Sequence, residues 1–358
     1  MKLSRYTRFL VSEDHDLGGL AGSEWRKIPA GLTSSAGFVP YEARGDLIVD
    51  LDISVYLLQF RLDEIELHAP TLKTRIKERE QALCREVGVP KLSRYERAEL
   101  AEVVRAEMIA NTPPRTTLVP ILLDSDSRTL LIATTSKKLV DLVALAFETA
   151  TQAKLTPTSP LLRARARDLD WLKFHYTDIL RDESGVSLQS QVPDDYLGRL
   201  DLARKFGPDF LLYLLHRERE GGADIAFSFG DCLKFKPSQD PLALVSSAMK
   251  GEEVASSAVA HQAILRGCPI AEAKLNFNLA GTLIPFSLAA DTLAVLGAKL
   301  PVSLAEDEYE AILEDSLYVE RLESAIDEAF VSFLDLWVGE QGPPLREAMR
   351  GTILNAEV

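Results

Sequence analysis

The chain has 358 residues, 46% of them hydrophobic and 26% charged, with a formal net charge of -14. That much apolar material fills a sizeable core in two domains or one large elaborated one, which excludes a disordered or fibrous chain. The longest apolar runs, LVDLVALAF and PDFLLYLLH, fall short of the roughly 20 residues a membrane helix needs, and MKLSRYTRFLVSEDHD lacks the apolar stretch of a secretory signal, so the expected location is cytoplasmic.

The opening LSRYTRFLV, and then GDLIVDL and SVYLLQFRL, are rich in aliphatic and aromatic residues and bounded by Gly, Asp and Ser, which predicts strands joined by tight turns. RKIPAGLTSSAGFVPYEARG between them has the Gly, Pro and Ser density of a loop. In TLKTRIKEREQALCREV, Leu72, Ile76, Leu83 and Val87 form one helical stripe, and Gly88 and Pro90 end it. A second helix starts at Ser93, where Ser93 and Glu96 have capping-box spacing. NTPPRT must stop it, because proline cannot continue the hydrogen-bond ladder. TLVPILLD and RTLLIATT around SDS predict a hairpin, with Pro120 suggesting an edge or a bulge, and SKKLVDLVALAFETATQA returns to helical periodicity.

TPTSP, Thr156 to Pro160, has the composition of a linker. After it come a helix in DLDWLKFHYTDIL, helices around Gly207-Pro208, a hairpin in ADIAFSFGDCLKFK, a helix in GEEVASSAVAHQAILRG, a hairpin in IAEAKLNFNLAGTLIPFSLAA, and one or two amphipathic helices in EYEAILEDSLYVERLESAIDEAFVSFLDLWV. The expected fold is α+β, antiparallel sheets with packed helices, in two halves of similar size. Residues 1–155 form an N-terminal half with a basic two-helix insertion at about 70–110, and residues 161–358 a C-terminal half with an acidic helical end.

Local chemistry narrows the functional classes. Cys84, Cys232 and Cys268 are far apart, and neither they nor the five histidines have zinc-ligand spacing. Phosphate-loop, dinucleotide and nucleophile-elbow motifs are absent, so neither a cofactor nor a catalytic constellation is expected. The carboxylate pairs Asp50/Asp52, Asp124/Asp126 and Asp194/Asp195 could hold Mg2+ in a nuclease, but each falls in a predicted turn, where Asp caps its own backbone. Charge is uneven: from Pro301 onward 14 acids face three bases, a local net of -11, whereas Thr71–Arg115 has ten bases against seven glutamates, a net of +3. Lys73, Arg75, Lys77, Arg79, Lys91, Arg94, Arg97 and Arg115 are therefore either a polyanion handle or the solvated face of two helices. Lys137 and Lys138 open another helix, and Lys234 and Lys236 flank Phe235 on a strand, an alternation that projects two lysines on one face.

Taken in order, SSAGFVP, VYLLQFRLDEIELHAPTLKTRIKERE, PKLSRYERAELAEVVRAEM, LLDSDSRTLLIATTSKKLVDLVALAF, LDWL and AVAHQAILRGCPIAEAKLNFNLAGTLIPFSLAADTLAVLGAKLP resemble the successive landmarks of the recombination-associated RdgC family. Phe38 stands where that family usually has Trp, and the Trp of LDWL is present as Trp171. The resemblance implies a ring-forming homodimer that encloses duplex DNA without sequence preference, associates with the nucleoid and restrains the RecA recombinase. It favours the polyanion handle. A Mg2+-dependent nuclease and an acidic protein-interaction module without DNA binding are the alternatives.

Overall fold

The computed structural model of the chain describes residues 3–160 apart from 14, 43 and 53, then 206–221, 226–236, 248–250, 257–265, 268–305 and 307–338, with scattered positions from 341 to 349. The chain divides into two compact units that alternate along the sequence. One comprises Met1–Val11, Asp126–Val140 and Leu155–Val358, the other Ser12–Ser125 and Asp141–Lys154. The expected division into 1–155 and 161–358 is not the one observed. Strand β1 (Thr7–Val11) pairs antiparallel with β6 (Thr129–Ile132) and with β7 (Leu155–Pro157), which draws the first residues into the same unit as the chain's second half. TPTSP is accordingly no simple linker. Its first residues lie in β7, and the amide and hydroxyl of Thr158 both donate to the Arg8 carbonyl. Pro and Thr read as loop formers in isolation, but an edge strand accepts them.

In the unit built on Ser12–Ser125, the strand order is β2 (Ser34–Val39), β4 (Val55–Glu64), β5 (Arg115–Asp124), with β3 (Ile48–Asp52) also on β4. VYLLQFRLDE forms β4 because it can be buried on both faces: Leu57, Leu58, Phe60 and Leu62 are all in the core, and so are Gln59 and Asp63. Ser54 takes a left-handed conformation in the tight β3–β4 turn that the sequence predicted. SSAGFV, expected to be loop, is the strand β2. Its Gly37 is required because a Cβ there would strike the backbone of Trp25, whose amide donates to the Phe38 carbonyl at 2.8 Å. Phe38 packs edge-to-face on Phe60, with centroids 5.4 Å apart. Pro120 sits in unbroken register opposite Gln59, without a bulge in that pairing. Between β4 and β5 come two helices, α1 (Ala69–Val87) and α2 (Arg94–Asn111), and after β6 comes α3 (Lys137–Thr151), each as the periodicity predicted.

The other unit also holds a five-stranded sheet of order β12 (Val295–Leu296), β11 (Thr282–Ala289), β10 (Ile270–Leu279), β8 (Phe227–Phe235) and β9 (Ala248–Lys250). The β10–β11 hairpin is as expected, turning at Ala280 and Gly281, both left-handed. FSFGDCLKF, expected within a hairpin, is the single strand β8. Gly230 does not turn the chain; it lies against Lys274 where the β8–β10 register shifts. Gly207 and Pro208 lie inside α4 (Phe206–Arg219), and the helix expected before them lies outside the described residues. A Cβ on Gly207 would collide with the Ala290 carbonyl, so glycine lets α4 approach the sheet. Helix α5 (Ala258–Leu265) precedes the hairpin, and EYEAILEDSLYVERLESAIDEAFVSFLDLWV is one 31-residue helix, α6 (Glu308–Val338). Phe210 and Tyr213 of α4 pack on Phe330 and Phe333 of α6 at centroid distances of 5.2–5.7 Å. The fold class is thus α+β with antiparallel sheets. The helix expected in DLDWLKFHYTDIL, Trp171 with it, lies outside the described residues.

Candidate nucleic-acid interface

Glu64, the last residue of β4, pairs with Arg115, the first of β5, so the two helices are an insertion at the tip of a β-hairpin. They form an arm. Helix α1 buries no side chain, and α2 buries only Val104 and Met108. Leu72, Ile76 and Leu83 of the predicted α1 stripe are half-buried, with Cys84 beside them, whereas Val87, also expected in the stripe, is exposed in the last turn. Both ends of the connection are fixed locally. Gly88 caps α1 in a left-handed conformation, with its amide and that of Val89 on the Cys84 carbonyl. The Ser93 hydroxyl accepts from the Glu96 amide, and the Glu96 carboxylate accepts from the Ser93 amide at 2.8 Å; the Ser93 side chain first and its amide second hold the Glu96 carboxyl below its usual range.

The root of the arm is braced by a charged clamp. Arg61 donates through Nε and Nη2 to Asp63 at 2.9 and 2.8 Å, and the Thr116 hydroxyl donates to the same carboxylate from across the strand pair at 2.8 Å. The Arg61 guanidinium lies 3.9 Å from the Trp25 ring centroid. Burial works against the Asp63 charge, but the Arg61 and Thr116 hydrogen bonds and the Arg61 charge together hold its carboxyl below the usual carboxylate range. The hydrogen bond to Asp63 likewise raises Arg61.

The predicted basic residues have different fates. Lys73, Arg75, Lys77 and Arg79 on α1, Lys91 in the connection, Arg94 at the start of α2 and Arg115 at the start of β5 are all exposed. Arg97 is not available in the same way: its Nε donates to Glu80 at 2.8 Å, tying α2 to α1. Arg85, absent from the sequence-based set, is exposed and lines an open groove of about 790 Å3 with Lys77, Lys91, Glu80, Gln81 and Cys84. The missed signal was its spacing, four residues from Gln81 and eight from Lys77, one row along the helix. Lys137 and Lys138 are exposed at the start of α3, in the other compact unit from the arm. Lys234 and Lys236 belong to that other unit too, and both face carboxylates: Lys234 lies 2.6 Å from Glu272, its partner across the strands, and Lys236 lies 3.8 Å from Asp291. A nucleic acid would have to compete with those acids.

Strand register brings Asp50 and Asp52 of β3 and Asp124 of β5 to the same end of the sheet, through Tyr56 and Val55 of β4. Among the described residues no group of three His, Cys, Asp or Glu side chains is arranged to hold a metal ion. Asp194 and Asp195 lie outside the described residues. No described helix is long and apolar enough to cross a membrane. No protein-family model matches the chain, and none of the curated proteins matches it. The likeness to the RdgC family therefore rests on the segments quoted for it.

Proposed function

We propose that the protein binds duplex DNA through its phosphates, without sequence preference, and that the α1–α2 arm is the handle. The observation that supports this most is the state of the arm's cations. Lys73, Arg75, Lys77, Arg79, Arg85, Lys91, Arg94 and Arg115 are exposed, and among the described residues none has a carboxylate within ion-pair distance. A helix that buries no side chain does not serve the core, and eight cations free of ion pairs, five on α1 and one each in the connection, at the start of α2 and at the start of β5, suit phosphate contact. Such contacts position a protein on DNA without reading bases. The resemblance to the RdgC family adds the rest of the proposal: a homodimer around the duplex, a restraint on a RecA-type recombinase, and association with the nucleoid. No bond is made or broken in this reading.

The experiment is binding of the purified protein to fluorescent duplexes of equal length and unrelated sequence at low salt. The expected result is retention with affinities equal within about twofold, and linear duplex left intact after incubation with Mg2+ or Mn2+. A tenfold sequence preference, absence of retention, or metal-dependent degradation contradicts the proposal. The last outcome would point to Asp50 and Asp124.

A further inference from the structure

The groove at the joint of the arm is a more specific feature than the arm's net charge. Lys77, Gln81 and Arg85 follow one another at four-residue intervals along α1, and the left-handed Gly88 returns the chain so that Lys91 completes the lining. The one carboxylate in the lining, Glu80, is already neutralised by Arg97 at 2.8 Å. Lys77, Arg85 and Lys91 have no carboxylate within ion-pair distance among the described residues. The C-terminal end of a helix carries about half a negative charge, which by itself would repel an anion. Here the Cys84 carbonyl is occupied by two amides, and three full positive charges outweigh the residual dipole. A planar guanidinium fork beside two mobile ammonium groups and a neutral amide suits a tetrahedral oxyanion with several acceptor oxygens.

We propose that this groove seats a phosphate of the DNA backbone, so that Lys77, Arg85 and Lys91 anchor the arm while its other cations contribute diffuse attraction. The inference rests on the DNA-binding reading above. Its test compares two full-length variants that remove the same charge from the same arm, K77Q/R85Q/K91Q in the groove and K73Q/R75Q/R79Q on the rest of α1. All six side chains are exposed, so both variants should fold as the parent does, which circular dichroism checks. Binding to one mixed-sequence duplex is measured by anisotropy between 50 and 200 mM salt. The groove variant should lose at least tenfold in affinity and reduce the slope of log affinity against log salt by about 0.9, the value for one phosphate. The other variant should lose about threefold or less. Equal losses would overturn the groove as an anchor and leave DNA binding intact, whereas unchanged affinity in both variants would overturn both readings. Inorganic pyrophosphate is the second probe. Micromolar pyrophosphate binding that K77Q/R85Q/K91Q abolishes, with duplex affinity unchanged, would assign the groove to a free polyphosphate and defeat the inference.

Discussion

Arg8 on β1 holds two carboxylates of α6 at once, Glu323 and Asp327, each 2.9 Å from Nη1 and all three side chains nearly buried. Burial pushes the Arg8 pKa down, but the two acids together outweigh it, and the guanidinium stays charged with its pKa raised. Removing the cation would leave two acids one helical turn apart without their shared counter-charge. Arg8→Leu is therefore expected to destabilise the protein by about 3–5 kcal/mol in urea unfolding. R8L/E323Q/D327N should recover at least half of that, and a loss near zero in the single variant would contradict the account. Asp63 makes a prediction about pH. Its folded pKa is depressed, so its contribution is present above the unfolded carboxylate value of about 4 and is lost as pH falls through the folded value. Asp63→Asn should cost about 1.5–3 kcal/mol at pH 7, and the gap between variant and parent should narrow below roughly pH 4. A gap that widens in acid would be the wrong sign. Residue chemistry of this kind is not legible in the sequence, because Glu323 is 315 positions from Arg8.

At the scale of elements, the arm can be separated from the sheet in argument and in experiment. Glu64 and Arg115 are neighbours across β4 and β5, so the helices between them can be replaced by a short Asn-Gly turn without stretching either strand. Excision of residues 66–113 should leave the far-ultraviolet spectrum reduced only in helix and unfolding still cooperative, while duplex binding should fall by more than about tenfold, since seven of the eight proposed cations go with the arm. Unfolding of the excised chain would mean that Val104 and Met108 matter to the core; retained binding would move the interface elsewhere. The arm was legible in the sequence because its signals are local: a stripe at helical spacing, Gly88, the Ser93–Glu96 box and the prolines after Asn111. Elements fixed by distant partners were not. SSAGFV became a strand because Gly37 admits the Trp25 backbone, and Leu155–Pro157 because β1 offers an edge. The candidate site was half legible for the same reason. Sequence supplies which residues carry charge, but only packing shows that Arg97 is taken up by Glu80, that Lys234 is taken up by Glu272, and that Lys91 lines one groove with Lys77 and Arg85.

For the whole molecule, the balance is between a net charge of -14 and a small basic arm. At about 0.1 M salt a charge acts over roughly 10 Å, so attraction to a phosphate is set by the cations local to it and not by the net value of the chain. Self-association is the second claim at this scale, and light scattering at micromolar concentration should give twice the 39.5 kDa chain mass. A monomer under those conditions would remove the ring while leaving the arm as a handle. The central claim is that binding is made of phosphate contacts, and salt titration of the intact protein on one duplex tests it most directly. Between about 50 and 200 mM salt, log affinity should fall linearly with log salt with a slope of roughly -3 or steeper, the same for duplexes of unrelated sequence. Binding insensitive to salt, or a slope that depends on the sequence offered, would contradict it.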